Sequence, residues 1–289
     1  MNKHLDDSLI VDLYVKQNYN AYEIADMLHV SYDCIYKHLY KNGVKCRSIS
    51  NIRSKNFDMT YFETIDAEHK AYWLGLIYAD GCVSGKYFSL GLKAEDKYLL
   101  EALKKDLKSE HMIHNHQKKL NEKIFYSHVF SICNETLISQ LNDLGVYENK
   151  TQNCKFPTNK IIPDKYLWDF IRGYMDGDGC ITYKKNKHIT DNNLNISISI
   201  GFAGTYDFIN TLNNIISNNT CSNVKLYKNS NIYTVNYRNK KAIEFMYHKM
   251  YDNATIYMKR KKERLDKFID EGHITSIIMT QEEYNTLKY

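Results

Sequence analysis

The sequence predicts an α+β fold built from two similar halves and preceded by a small all-α segment. Three observations carry this reading. A motif recurs 98 residues apart, from Asp80 to Asp178. Each copy is followed by alternating strand and helix patterns, and short helical periods lie ahead of both.

The repeat comes first in weight. AYWLGLIYADGCV spans Ala71 to Val83 and DFIRGYMDGDGCI spans Asp169 to Ile181. In register, Gly75 falls on Gly173, Asp80 on Asp178, Gly81 on Gly179, Cys82 on Cys180 and Val83 on Ile181. Helix-start residues precede both copies: Asp66 before the first and Pro163-Asp164 before the second. The likeness continues beyond the motif. KYFSLGLK then DKYLLEALKKDL follows the first copy; NISISIGF then TYDFINTLNNII follows the second, with KKNKHITDNN lengthening its first hairpin. FYSHVFSICNETLISQL and NIYTVNYRNKKAIEFM repeat strand followed by helix. Each half therefore reads αββαββα, and the two are expected to pack about a pseudo-two-fold axis. Expected boundaries are 1–44 for the helical segment, 45–60 for a linker, 61–160 and 161–270 for the halves. Residues 271–289 read as a small terminal helix or tail.

In the first segment Leu9, Ile10, Leu13 and Tyr14 recur at helical spacing behind Asp6 or Asp7 as cap. AYEIADMLHVSYDCIYKHLYKNG follows, with Ile24, Ala25 and Leu28 on one face, Val30 in a turn and Ser31 capping a helix that turns Ile35 and Leu39 inward. It is similar to the helix-turn-helix pattern E-I-A-x-x-L-x-V-S-x-x-x-I. That resemblance implies Tyr32, Asp33, Tyr36 and Lys37 on the outer face of a recognition helix, available to a major groove.

Formal net charge is +5, and its distribution says more than its size. Lys41, Lys45, Arg47, Arg53 and Lys55 meet no acid between positions 41 and 56. Beside a DNA-binding helix, Lys45, Arg47 and Arg53 are expected to follow phosphates. Seven scattered cysteines without a C-x-x-C pair argue against a disulfide framework or a zinc ribbon. The N-terminus lacks the apolar core of a signal peptide, and no stretch approaches the roughly eighteen apolar residues of a membrane span. A soluble, intracellular protein is the expectation.

Small residues four apart, Gly75/Ala79 and Gly173/Gly177, let two helix backbones approach closely. Asp80 and Asp178 then end their helices side by side. A carboxylate there faces the negative end of the macrodipole and also its twin, and such pairs raise one another's pKa unless a cation intervenes. A divalent metal resolves the conflict, with the carbonyls of Ala79 and Gly177 as further oxygen donors. Hard donors without cysteine or histidine suit Mg²⁺ or a similar ion.

These residues resemble the LAGLIDADG motif, as W-L-G-L-I-Y-A-D-G in the first copy and I-R-G-Y-M-D-G-D-G in the second. The resemblance covers Tyr61 to Asp270. It implies a saddle of antiparallel sheets over DNA, and a monomeric homing endonuclease cutting a long asymmetric double-stranded site. The family's metal-binding acids carry over to Asp80 and Asp178. Its supporting lysine carries over to Lys150 in LGVYENKTQNCKFP and to Lys261, with Lys259 as alternative, in DNATIYMKRKKER. Trp73, Leu74, Tyr78 and Arg172 depart from the usual Leu, Ala, Asp and Ala. The implied chemistry is phosphodiester hydrolysis, with metal at the acids and both lysines steadying charge. An intron RNA maturase or a non-cutting DNA-binding regulator on the same scaffold is the alternative.

Two signals are set aside. His114-Asn115-His116 spells HNH but reads as a polar hairpin end, because that nuclease motif is dispersed. The ends, Met1-Asn2 and Tyr289, lack the Cys/Ser start and His-Asn finish expected of a splicing element.

Overall fold

Capping chemistry sets the first three helices of this computed structural model, which describes residues 5–17, 19–46, 56–120, 123–186, 193–269 and 276–287. Helix α1 (Asp7–Val15) begins at Asp6, whose carboxylate accepts from the N–H groups of Ser8 at 2.8 Å and Leu9 at 3.4 Å. Helix α2 (Ala21–Leu28) opens on a reciprocal capping box between Asn20 and Glu23, and left-handed His29 (φ 54°) closes it. Helix α3 (Tyr32–Lys41) starts where the Ser31 hydroxyl accepts from Cys34 N–H. Ile10, Leu13, Tyr14, Ile24, Ala25, Ile35 and Leu39 form their shared core.

Beyond these the chain runs α4 (Glu68–Asp80), β1 (Gly81–Ser84), β2 (Tyr87–Lys93), α5 (Lys97–Asp106), β3 (Ile113–Leu120), β4 (Lys123–Cys133), α6 (Glu135–Asp143) and a single turn α7 (Lys150–Asn153). The second half runs α8 (Leu167–Asp178), β5 (Cys180–Lys185), β6 (Asn193–Gly204), α9 (Tyr206–Thr220), β7 (Tyr227–Asn229), β8 (Ile232–Tyr237), α10 (Lys240–Tyr251) and α11 (Lys259–Ile269). Last come β9 (Ser276–Thr280) and α12 (Gln281–Leu287). The strands form two sheets, in the orders β1-β2-β4-β3 and β5-β6-β8-β7.

The chain divides into two compact units, residues 1–58 with 89–134 and residues 59–88 with 135–289. In the first unit, β3 and β4 form an antiparallel ribbon with Ile113 opposite Phe130. His114, Asn115 and His116 sit at the start of β3, opposite Val129, His128 and Ser127, and not at the hairpin end. In the second unit, Leu194, Ile196, Ile198, Ile200 and Phe202 alternate along β6 and are all buried, the period-two signature of a strand with one face on a core. Strand β8 pairs with β6 only from Ile200 to Gly204. Strand β9 pairs with β6 from Asn193 to Ser197. An edge left open by a short neighbour is a pairing hazard, and β9 covers it. The C-terminal segment is thus part of a sheet, where the sequence suggested only a helix or tail.

Helices α4 and α8 pack backbone to backbone. A β-carbon on Gly75 would lie 2.0 Å from the Phe170 carbonyl oxygen, and one on Gly173 would lie 2.0 Å from that of Tyr72. Only glycine permits this approach. Gly81 and Gly179 end the two helices for a different reason from the one their position suggests. Their φ values, −70° and −75°, are ordinary for any residue. Crowding excludes a side chain instead: a β-carbon would meet Ile77 O at 2.6 Å, or Met175 O at 2.4 Å. Among the described residues, no helix is long and apolar enough to cross a membrane.

Candidate active site

The glycine contacts bring the C-termini of α4 and α8 together, and each helix ends on an acid. Asp80 and Asp178 are both solvent-exposed, so a ligand can reach them from outside. The surrounding protein still crowds their carboxyls. Burial, reinforced by the charge of Asp178, pushes the Asp80 carboxyl up to about 6. Burial also raises Asp178, while Lys150 and Lys261 pull it back. Two acids destabilised in their charged form, at the negative ends of two helices, make a site that favours added positive charge.

Two lysines already supply part of it. Lys150 Nζ donates to the carbonyls of Tyr78 at 2.6 Å and Ala79 at 2.9 Å. Lys261 Nζ donates to those of Met175 at 2.7 Å, Gly177 at 3.0 Å and Gly179 at 2.6 Å. Each ammonium therefore closes the last turn of one central helix, supplementing the backbone bonds there: Met175 O also accepts from Gly179 N–H at 3.0 Å. Burial lowers both lysines, Lys261 to about 8, and nearby carboxylates oppose that fall. Lys259, the alternative in sequence, is exposed. The carbonyls of Ala79 and Gly177, expected as metal donors, each accept from a lysine, which leaves one lone pair apiece.

Positions 78 and 176, two residues before each acid, hold the segments that carry the lysines. Tyr78 OH donates to Leu144 O at 2.6 Å. Next to it Gly145 has φ +91°, and a β-carbon there would lie 2.2 Å from the Tyr78 hydroxyl. Asp176 is buried and accepts from Met258 N–H at 2.6 Å and Tyr72 OH at 2.8 Å. Met258 O in turn accepts from Lys261 N–H at 3.0 Å, at the start of α11. One half thus uses a donor and the other an acceptor for the same purpose.

The contacts of Arg172 and the place of Cys154 were absent from the sequence reading. Arg172, 1% exposed, binds Asp169, Glu68 and the carbonyls of Met250 and Ile256, at 2.7 to 2.9 Å. Glu68 also accepts from Thr255 N–H at 2.8 Å, so one buried guanidinium fastens α8 to the start of α4 and the end of α10. Cys154 shares a cavity of about 140 Å³ with Lys150, Asp178, Tyr78 and Tyr174, so a cysteine does stand at the site. Burial pushes that thiol up to about 11, which keeps it protonated and a poor metal ligand at neutral pH. Cys82 and Cys180, two residues past each acid, are exposed. A repeat search pairs Cys82 with Cys180, but nothing local in sequence points Cys154 toward the acids. Among the described residues, no group of three or more His, Cys, Asp or Glu side chains is placed to hold a metal.

Of the residues expected on DNA, Tyr32, Tyr36 and Lys37 lie on α3, with Tyr36 and Lys37 exposed, and exposed Lys45 follows that helix. Arg47 and Arg53 lie outside the described residues, as do 187–192 of the lengthened hairpin.

No protein-family model matches the sequence. A probable translation initiation factor IF-2 of Methanocaldococcus jannaschii is 28% identical over 119 residues, 40% of this chain. The chain spans only 9% of that relative's length. Among solved structures, the LAGLIDADG meganuclease I-CpaMI bound to uncleaved DNA is similar with a TM-score of 0.50 at 15% identity, over 75% of this chain and 96% of that one. The I-LtrWI LAGLIDADG homing endonuclease bound to target DNA has a TM-score of 0.49 at 15% identity, over 79% and 96%. The fold of this chain is that of the LAGLIDADG meganucleases.

Proposed function

We propose that this chain is a monomeric LAGLIDADG-type homing endonuclease that hydrolyses both strands of a long asymmetric DNA site. The observation that carries this reading is the pair of carboxylates, Asp80 and Asp178, at the abutting C-termini of two glycine-packed helices. The fold shared with I-CpaMI, a meganuclease bound to DNA, supports it.

The donor set suits a hard divalent cation such as Mg²⁺. Both carboxylates are strained in their charged form, and their neighbours are carbonyl oxygens, not thiolates or imidazoles. Asp80 and Asp178 would hold the ion, with the free lone pairs of the Ala79 and Gly177 carbonyls beside them. Such an ion lowers the pKa of water and stabilises charge on phosphate oxygens. The chain's own groups do the rest. Lys150 spends two of its three N–H bonds on carbonyls and keeps one for a phosphate oxygen or a water. Lys261, held by three carbonyls, supplies charge without a spare donor. Buried Asp176 and Tyr78 fix the segments on which those lysines ride. The three N-terminal helices and the basic run with Lys45, Arg47 and Arg53 add a second nucleic-acid contact, which raises effective concentration at the target.

The test is Mg²⁺-dependent linearisation of plasmids carrying a library of random or genomic inserts, with Asp80→Asn as control. Linear product from some inserts with the natural chain, and none with the variant, is expected. Library-wide binding without cutting would favour the maturase or regulator reading.

A further inference from the structure

We propose that Tyr22, Tyr32, Tyr36 and Tyr40 form a stacking platform for unpaired nucleotides, DNA or RNA. This rests on the N-terminal helices alone and stands whether or not the acids cut DNA.

Positions 32, 36 and 40 recur every four residues and form a row along α3; Tyr32 packs in part on the core that holds Ile35 and Leu39, and Tyr36 and Tyr40 turn outward from it. Tyr22 of α2 extends the row. Its ring stacks on Tyr32 with centroids 4.2 Å apart and planes at 22°. Beyond Tyr32 the rings stay near-parallel but separate, at 6.2 Å and 30° to Tyr36, then 6.4 Å and 13° from Tyr36 to Tyr40. The first pair is in face contact; the later rings leave much of their faces open. Tyr22 is 55% exposed, Tyr36 43% and Tyr40 76%. The helical core is complete without these three rings, so packing does not account for a row of aromatics facing water.

Charge narrows the occupant. Lys37 and Lys41 each follow a ring of the row, exposed Lys45 lies just past the helix, and among the described residues Lys41 pairs with Asp7 at 3.4 Å. Flat rings interleaved with cations are the arrangement that binds single strands, with bases on rings and phosphates on lysines. Duplex readout asks for different side chains. Sequence is gripped in the major groove mainly by Arg, Lys, Asn and Gln. Of these, helix α3, YDCIYKHLYK, holds Lys37 and Lys41 but no guanidinium or carboxamide. Its outer face offers ring surface, which unpaired bases can use and stacked bases inside a duplex cannot.

The test measures fluorescence anisotropy of a labelled oligonucleotide with the full chain in EDTA, so that cutting plays no part. Its arms are single-stranded DNA, RNA of the same sequence, and the duplex. The single strands should lose affinity about tenfold or more per ring in Tyr36→Ala and Tyr40→Ala, and the duplex much less. Tyr36→Phe and Tyr40→Phe should bind single strands like the natural chain, since the ring and not the hydroxyl makes the contact. Replacing Lys37 and Lys45 together by Gln should flatten the salt dependence for single strands by about 1.4 in log–log slope. Comparison of the DNA and RNA arms identifies the preferred strand. Both tyrosines are exposed, and thermal unfolding checks that the variants fold. Unchanged single-strand binding in the alanine variants overturns the proposal. So does a loss confined to the duplex and shared by the phenylalanine variants, which would make α3 a groove reader through its hydroxyls.

Discussion

Gly75 and Phe170 are so close that a single methyl group cannot fit between them: a β-carbon on Gly75 would lie 2.0 Å from the Phe170 carbonyl oxygen. The neighbour is backbone, so relief requires α4 and α8 to separate. Gly75→Ala or Gly173→Ala should cost about 3 kcal/mol, the upper end for overpacking. Gly91→Ala is the control, because its β-carbon would meet Val129 at 3.4 Å and His128 O at 3.9 Å, ordinary contact distances. Urea denaturation of the three variants checks this, and equal midpoints would remove the close contact from the account.

Asp80→Asn and Asp178→Asn should abolish cleavage while leaving DNA binding largely intact. The Asp80 variant carries a stability signature as well. A carboxyl raised from 3.8 to about 6 favours the folded state when protonated. That contribution is present below pH 3.8 and is lost as pH rises through about 6, when no divalent cation is added. Asp80→Asn should therefore flatten that part of the pH–stability curve. Cleavage by either variant at near the natural rate would exclude the carboxylates from the chemistry.

On the proposed reading, protons and metal compete for the same carboxylate. Below about pH 6 Asp80 holds a proton that a cation must displace. Raising Mg²⁺ should move the acid limb of the cleavage profile to lower pH. A limb insensitive to Mg²⁺ would assign the titration to another group.

Lys150→Met and Lys261→Met should both slow cleavage without uniformly weakening binding, but their stability costs should differ. Lys261 gives up bonds to three carbonyls, of which Met175 O keeps the N–H of Gly179, and Lys150 gives up two; Lys261 is also the more buried of the pair. Unsatisfied buried groups cost about 1–3 kcal/mol each before water relieves them. The larger fall in melting temperature is expected for Lys261→Met. Exposed Lys259, changed to Ala, should leave it unmoved. If Lys259→Ala slows cleavage more than Lys261→Met, the lysine assignment in the second half is shifted by two residues.

Tyr78→Phe keeps the ring and removes only the hydrogen bond to Leu144 O. On the proposed reading it should lower kcat more than it raises KM, because the DNA-facing surface is untouched and only the Lys150 segment loosens. A pure rise in KM would mean that Tyr78 serves binding.

The sequence displayed what repeats and concealed what touches. The two motif copies align because backbone proximity demands glycine at 75 and 173 and an acid ends each helix, constraints that single letters record. Cap residues Asp6 and Ser31 were legible for the same local reason. Arg172 was not, since apart from Asp169 one turn back its partners lie at Glu68, Met250 and Ile256, and no spacing rule connects those. Cys154 reaches the site from a segment with no helical or strand period. Strand β9 was missed because its partner edge on β6 lies some eighty residues away and opens only because β8 is short.

The glycine contact also limits how such a chain can change. The offset between Asp80 and Asp178 is written into main-chain geometry, so no rotamer change or conservative core exchange can stretch or shrink it. Exposed strand positions such as Tyr87 of β2 carry no such restriction. On the proposed reading, retargeting by substitution would alter which bases are preferred, while the stagger between the two breaks would stay a fixed gauge.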